Sequence, residues 1–238
     1  MAAIGAKDLS DQSSIRYKIV KKTVQFYSFL GLMNTGYTSV VNEKYLVDYS
    51  QFLGPDWEPE WEGASTLISK HISWIDIIVA FYLYYPMFTA TARIRDMLWL
   101  GNIAKFLNII FIERVGADSK AQKKGALAKI QEHQHLVENR KFETPLMIYP
   151  EGATSRESEL LQFKIGAFLS LTSIQPFSIS YKSVGGIRPD AVMGRPCTAV
   201  FINSCMPPFG TIINKTYPVF RPNEYFWTHH LSENESKA

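Results

Sequence analysis

The feature that most constrains this chain is a repeated alternation of short apolar runs with longer helix-patterned stretches. Thr66-Leu-Ile-Ser69, Met87 to Ala92, Asn108 to Arg114, Leu146-Met-Ile-Tyr149 and Gln175-Pro-Phe-Ser-Ile-Ser180 are each of strand length. Between them lie helical patterns: a run through Ile77, Ile78, Ala80, Phe81 and Leu83, an apolar stretch near Arg95 to Leu107, and an amphipathic one from Ser119 to about Asn139. The last places Leu127, Ile130 and Val137 on one side and Lys123, Lys124 and Lys129 elsewhere. Leu160, Leu161, Phe163, Ile165, Phe168, Leu169 and Leu171 predict a further, buried helix. Strands alternating with helices imply an α/β domain whose sheet carries its functional loops at one edge.

The polar residues where these strands end are chemically selective. The first run passes through Lys70 into His71, with Ser73 and Asp76 following before the helix-like run begins. A histidine near neutral pH takes a proton from a hydroxyl nucleophile when a carboxylate fixes its tautomer and stabilises the imidazolium. Five residues apart across a loop and a first helical turn, His71 and Asp76 can meet as the base and carboxylate of a triad do, with the substrate's own hydroxyl as nucleophile. With 5 His and 22 Asp plus Glu in the chain, that spacing also arises by coincidence, and a helix-capping Ser73 or Asp76 beside a histidine is the plain alternative. A second element shifts the balance. Tyr149-Pro-Glu-Gly-Ala-Thr-Ser155 breaks a strand into a loop of small hydroxyl residues, a type that offers backbone N–H groups to a phosphate. Glu151 does not suit an anion and is expected to order the loop or bind a polar headgroup. A third element is the run ending at Arg114, whose guanidinium is a fork of donors suited to phosphate; a surface ion pair involving Glu113 is the alternative.

In order and spacing these blocks resemble the glycerophospholipid acyltransferase family. Lys70-His71-Ile-Ser73-Trp-Ile-Asp76 is similar to its N-H-x-S-x-x-D motif, with lysine for asparagine. Asn108-Ile-Ile-Phe111-Ile-Glu-Arg114 matches G-x-x-F-x-x-R except at its first position, and Tyr149-Pro150-Glu151-Gly152-Ala153-Thr154-Ser155 matches F-P-E-G-T-x-S with two changes. Leu160-Leu-Gln-Phe163-Lys164-Ile-Gly166-Ala167-Phe168 resembles a run seen in lysophosphatidylcholine-type members, and the Pro176 strand stands where the fourth motif does. The resemblance covers roughly residues 45 to 210. It implies a glycerol-3-phosphate acyltransferase-like fold, a mixed sheet flanked by helices with an N-terminal membrane- or partner-associated helix. It implies acyl transfer from acyl-CoA to a lysophospholipid or glycerol-phosphate hydroxyl, with His71 as base, Asp76 as its partner, and Phe111, Arg114, Glu151, Gly152, Thr154 and Ser155 binding the acceptor. Acyl-CoA is then a co-substrate and no cofactor is required. Ala153, Asn108 and Thr154 depart from the family pattern at the acceptor site, the last weakening lysophosphatidate as substrate.

Composition agrees with this reading. With 238 residues, 46% of them hydrophobic, the chain is long enough for one sizeable core. A net charge of +3 without a clustered basic stripe argues against nucleic acid. Cys197 and Cys205 form no disulfide or metal pattern, and the spacing of His133 with His135 and of His229 with His230 is not that of a zinc site, so no metal is expected.

Residues 1 to 62 read as an N-terminal segment, 63 to 217 as the acyltransferase domain and 218 to 238 as a tail. From Ile15 to Val41 the apolar pattern is diluted by Gln25, Asn34 and Gly36, short of the about twenty apolar residues a bilayer crossing needs. An interfacial or partner-packed helix fits better, with Lys18, Lys21 and Lys22 suited either to anionic lipid or to solvent. Residues 42 to 63, with Trp57 and Trp61, read as an extended connector, and no signal peptide is evident. The expected setting is the endoplasmic reticulum or mitochondrial membrane, with membrane lipids and other membrane subunits as partners. Two readings of other classes stay open: a structural subunit that keeps the fold and binds lipid without turnover, and a lipid-transfer module.

Overall fold

Three parallel strands, Thr66–Ile68 (β2), Leu146–Ile148 (β5) and Ile174–Lys182 (β6), form the centre of a seven-stranded mixed sheet. The computed structural model describes residues 12–91, 107, 109–112, 119–184, 189 and 209–230. Tyr37–Lys44 (β1), Met87–Thr91 (β3), Ile110–Ile112 (β4) and Gly210–Thr216 (β7) complete the order β1-β7-β6-β2-β5-β3-β4. Only the β6–β7 pair is antiparallel. Helices Ile15–Asn34 (α1), Ser50–Leu53 (α2), Ile75–Leu83 (α3), Ser119–Glu138 (α4) and Glu224–His230 (α5) accompany it.

The pleat sorts side chains onto two layers. On β5, Met147 joins Leu67, Phe88, Phe177, Ile179, Tyr181 and Ile212 beneath Ile75, Val79 and Ala80 of α3, while Leu146 and Ile148 face the other way onto Ala126 and Ile130 of α4. Successive side chains on a strand point to opposite faces, so a strand buried on both sides reads as a continuous apolar run. Leu146 and Met147 are fully buried, each contributing roughly 1.5–3 kcal/mol. β6 alternates, with Gln175, Phe177, Ile179 and Tyr181 buried, and the last three lie on the α3 side. That alternation aims Tyr181 at the first turn of α3.

The N-terminal helix is present and ends earlier than Val41. Ser14 caps it by accepting from the Tyr17 N–H, Gly36 turns the chain at φ 80°, and Tyr37 starts a strand instead. α1 buries Tyr17, Val20 and Leu32 and lies along α3. Its outer face keeps Ile15, Ile19, Phe26, Tyr27 and Leu30 exposed. The first residues of the expected connector are therefore sheet: β1 pairs parallel with β7, far away in the chain, with a register shift between Tyr37 and Ser39. No helix among the described residues is long and apolar enough to cross a membrane.

The buried helix expected over Leu160 to Leu171 is not formed. Only a 3-10 turn, Ile165–Ala167, occurs there, and Leu160, Ile165 and Leu171 are 75%, 70% and 58% exposed. Apolar residues at 160, 161, 163 and 165 would surround a helix rather than line one face. The backbone instead returns to the preceding loop, where the Lys164 N–H donates to the Pro150 carbonyl at 2.8 Å. The amphipathic helix does form as α4, but it also buries Gln134, which donates to Thr66 Oγ1 and the Ala167 carbonyl. The Arg95–Leu107 helix, save Leu107, and both cysteines lie outside the described residues.

The described part of the tail packs back on the domain. Phe220 bridges to Ile174, and His230 Nε2 meets the Gln51 carbonyl at 3.0 Å.

Candidate active site

Because β5, β2 and β6 are adjacent and parallel, the loops after β5 and β2 and the last residues of β6 converge at one edge. In α/β sheets that edge, at the carboxyl ends of the strands, is where ligands bind. It holds His71 after β2, Tyr149 to Ser155 after β5, and Tyr181 near the end of β6.

His71 and Asp76 are in contact, Nδ1 to Oδ2 at 3.0 Å. Asp76 sits in the first turn of α3, fully buried, and the same Oδ2 accepts from the backbone N–H groups of Ile72 and Ser73 at 2.6 and 2.9 Å. A negative charge at a helix start is favoured by the orphan N–H groups there. Its other oxygen accepts from the Tyr181 hydroxyl. A carboxylate oxygen at Nδ1 suits the neutral tautomer that carries its hydrogen there, in which Nε2 holds the lone pair. The His71 side chain is 18% exposed, which leaves the ring reachable.

Tyr149 covers the face of the imidazole. The two rings stack with centroids 4.1 Å apart and an interplanar angle of 17°. Burial, and then the charge of Asp76, push the phenols of Tyr149 and Tyr181 well above their ordinary range, so both remain protonated. The Tyr149 hydroxyl is buried with no hydrogen-bond partner among the described residues.

The 149–155 loop is tied to the histidine. Ser155 donates its N–H to the His71 carbonyl at 2.9 Å, and its hydroxyl donates to Glu151 Oε2 at 2.7 Å. Glu151 is 3% exposed, and its Oε1 has no partner among the described residues. Gly152 adopts φ 64°, a conformation that favours glycine. A Cβ there would lie 2.6 Å from Lys164 Nζ, so the ammonium of Lys164 sits directly over this loop. Thr154 is half-buried and Ala153 exposed.

The structure therefore brings His71, Asp76, Glu151, Gly152, Thr154 and Ser155 into one region. Phe111 lies on β4, paired with Ala90 and two strands across from β5. Arg114 and Asn108 lie outside the described residues. Sequence reasoning missed Tyr181 and the placement of Lys164, and treated Tyr149 only as a motif position. A signal for Tyr181 existed in the strict alternation of β6, whose odd residues face α3. A cleft of about 1480 Å³ opens at the opposite edge between Glu60, Pro145, Arg140 and Arg221 and includes neither His71 nor Asp76.

Comparisons with known proteins agree with this architecture. Residues 51–180 match the profile of the family described as Acyltransferase. A lysophospholipid acyltransferase of Arabidopsis thaliana, LPEAT1, is 30% identical over an alignment of 140 positions that covers 55% of this chain and 34% of that protein. A lyso-ornithine lipid O-acyltransferase of Brucella abortus is 27% identical over an alignment of 140 positions that covers 54% of this chain and 48% of that protein. The chain thus matches about a third to a half of the length of these curated relatives. In fold it is similar to the crystal structure of the 1-acyl-sn-glycerophosphate acyltransferase PlsC from Thermotoga maritima, with a TM-score of 0.54 at 18% identity, covering 92% of this chain and 74% of that one. With the profile spanning more than half of its residues, the chain belongs to the glycerophospholipid acyltransferase family.

Proposed function

We propose that the protein transfers a fatty acyl group from acyl-CoA to the hydroxyl of a lysophospholipid, with His71 as general base and Asp76 as its orienting partner. The observation that carries this reading is the His71–Asp76 contact at the carboxyl edge of the sheet, with no partner for Nε2 among the described residues. The acceptor hydroxyl gives its proton to Nε2 as its oxygen attacks the thioester carbonyl. The tetrahedral intermediate then collapses, the C–S bond breaks, and the departing thiolate takes the proton from the imidazolium. Thiolate is a good leaving group, which is why one base suffices without a protein nucleophile.

Glu151, Gly152, Thr154 and Ser155 border the proposed acceptor position, with Phe111 and Arg114 assigned to the same role by their motif. The buried, unpartnered Oε1 of Glu151 suits a hydroxyl or amine donor of the acceptor, and the Lys164 ammonium over Gly152 suits a phosphate.

A membrane surface is the proposed source of the lipid. Exposed Leu160, Phe163 and Ile165 adjoin the Glu151–Ser155 loop, and the outer face of α1 combines exposed Ile19, Phe26 and Leu30 with Arg16, Lys18 and Lys22. Apolar groups flanked by cations fit an anionic lipid interface.

The test is to present the purified full chain with labelled acyl-CoA and a panel of lysophospholipids in vesicles. Labelled diacyl product with at least one acceptor is expected. No product with any acceptor contradicts the reading and favours a non-catalytic subunit of the same fold.

A further inference from the structure

Asp76 divides its two oxygens between separate partners. Oδ2 serves the loop, holding the N–H groups of Ile72 and Ser73 and the His71 ring. Oδ1 is reached from behind by the Tyr181 hydroxyl, 105 residues later in the chain. A fully buried carboxylate requires donors on both oxygens, since no water offsets its desolvation.

We propose that Tyr181 is a positioning residue for the His71 base: its hydroxyl locks the Asp76 carboxylate in one rotation and sets how strongly Oδ2 holds the imidazole. The relay His71–Asp76–Tyr181 then runs from a loop, through the first turn of α3, to the end of β6. Its consequence for rate rests on the acyl-transfer reading above, while its effect on the His71 hydrogen bond does not.

The surroundings leave Tyr181 few alternatives. Its ring is 5% exposed and packs on Tyr37 with centroids 5.2 Å apart, and its backbone is held in register opposite Ile212. The titratable groups facing this pocket are His71 from its loop, Tyr149 at the end of β5, and Tyr37 from β1. Burial and the neighbouring Asp76 keep both phenols protonated, so Tyr181 meets Asp76 as a hydrogen-bond donor. When the His71 ring takes up a proton, the demand on Oδ2 rises. A carboxylate pinned at Oδ1 meets that demand without swinging, so orientation is kept through the step that most needs it.

The experiment uses two variants of the full chain with opposite effects. Tyr181→Phe keeps the ring and deletes the donor. Replacing Tyr181 by 3-fluorotyrosine keeps the shape and makes the hydroxyl a stronger donor, so this arm remains informative if the phenylalanine variant does not fold. Tyr181→Phe is expected to lower kcat about tenfold with KM unchanged, the scale of one hydrogen bond to a charged group. In an Asp76→Asn background the same change is expected to cost less than about twofold, because the route through the carboxylate is already broken. Independently of turnover, the Nδ1–H proton resonance of His71 should move downfield in Tyr181→Phe and upfield with fluorotyrosine. A resonance unmoved in both variants, or shifts of the same sign, overturns the proposal. A wild-type chain that transfers no acyl group contradicts the function proposed above, while the paired resonance shifts still decide the relay.

Discussion

The imidazole of His71 lies almost flat against the ring of Tyr149, 4.1 Å between centroids. This contact fixes the plane of the base from its face, while Asp76 fixes it from its edge. Tyr149→Leu is expected to keep the fold and lower kcat about tenfold, because the ring loses one of its two restraints and the π-face beside the imidazolium. Tyr149→Phe retains the stacking and removes a buried hydroxyl with no described partner, so it should raise stability by about 1 kcal/mol in chemical denaturation.

Asp76→Asn should be the more damaging change of the His71–Asp76 pair for stability. The carboxylate accepts from two backbone N–H groups and a buried phenol as well as from His71. Losing charge-assisted bonds at a helix start is expected to cost about 2–4 kcal/mol, read from the urea midpoint, and to lower kcat by orders of magnitude.

Gly152→Ala tests the loop. The residue would have to hold φ 64°, and its Cβ would displace the Lys164 ammonium. Because Lys164 Nζ ends a flexible chain, the stability cost should be small, about 1 kcal/mol, and set by the backbone. The larger effect is expected in KM for the lysolipid, since the cation over the loop moves; steady-state kinetics and a thermal melt separate the two.

His133 provides a pH dependence away from the site. It is buried, and burial lowers its proton affinity below the ordinary value of 6.5 despite the hydrogen bond between Nε2 and the Thr144 carbonyl. The folded chain therefore binds fewer protons at this residue than the unfolded chain does below pH 6.5, so stability is lost as pH falls through that region and is unaffected above it. Urea midpoints at pH 7.5 and 5.5 should differ in the wild type, and His133→Gln should reduce that difference.

Much of the site's chemistry was legible because it is local in sequence. His71 and Asp76 are five residues apart, and the small hydroxyl loop follows its strand directly, so motif spacing located both. What stayed hidden depends on distant pairings. β1 joins the sheet only through β7, and Tyr181 reaches Asp76 only because β6 lies beside β2. In the segment 160–171 apolar content alone suggests burial, but its spacing does not line one helix face. Leu160, Phe163 and Ile165 instead stand in the open beside the Glu151–Ser155 loop, the side on which the proposed function has the lipid approach. Replacing Leu160 and Ile165 together by aspartate should accordingly reduce sedimentation with anionic vesicles while leaving the melting temperature within a few degrees.

The most direct test of the central claim compares wild-type chain with His71→Ala in acyl transfer from labelled acyl-CoA to the lysophospholipid that wild type prefers. The account predicts a loss of at least about a thousandfold in kcat with an unaltered circular dichroism spectrum. Transfer at the wild-type rate by the alanine variant would contradict it.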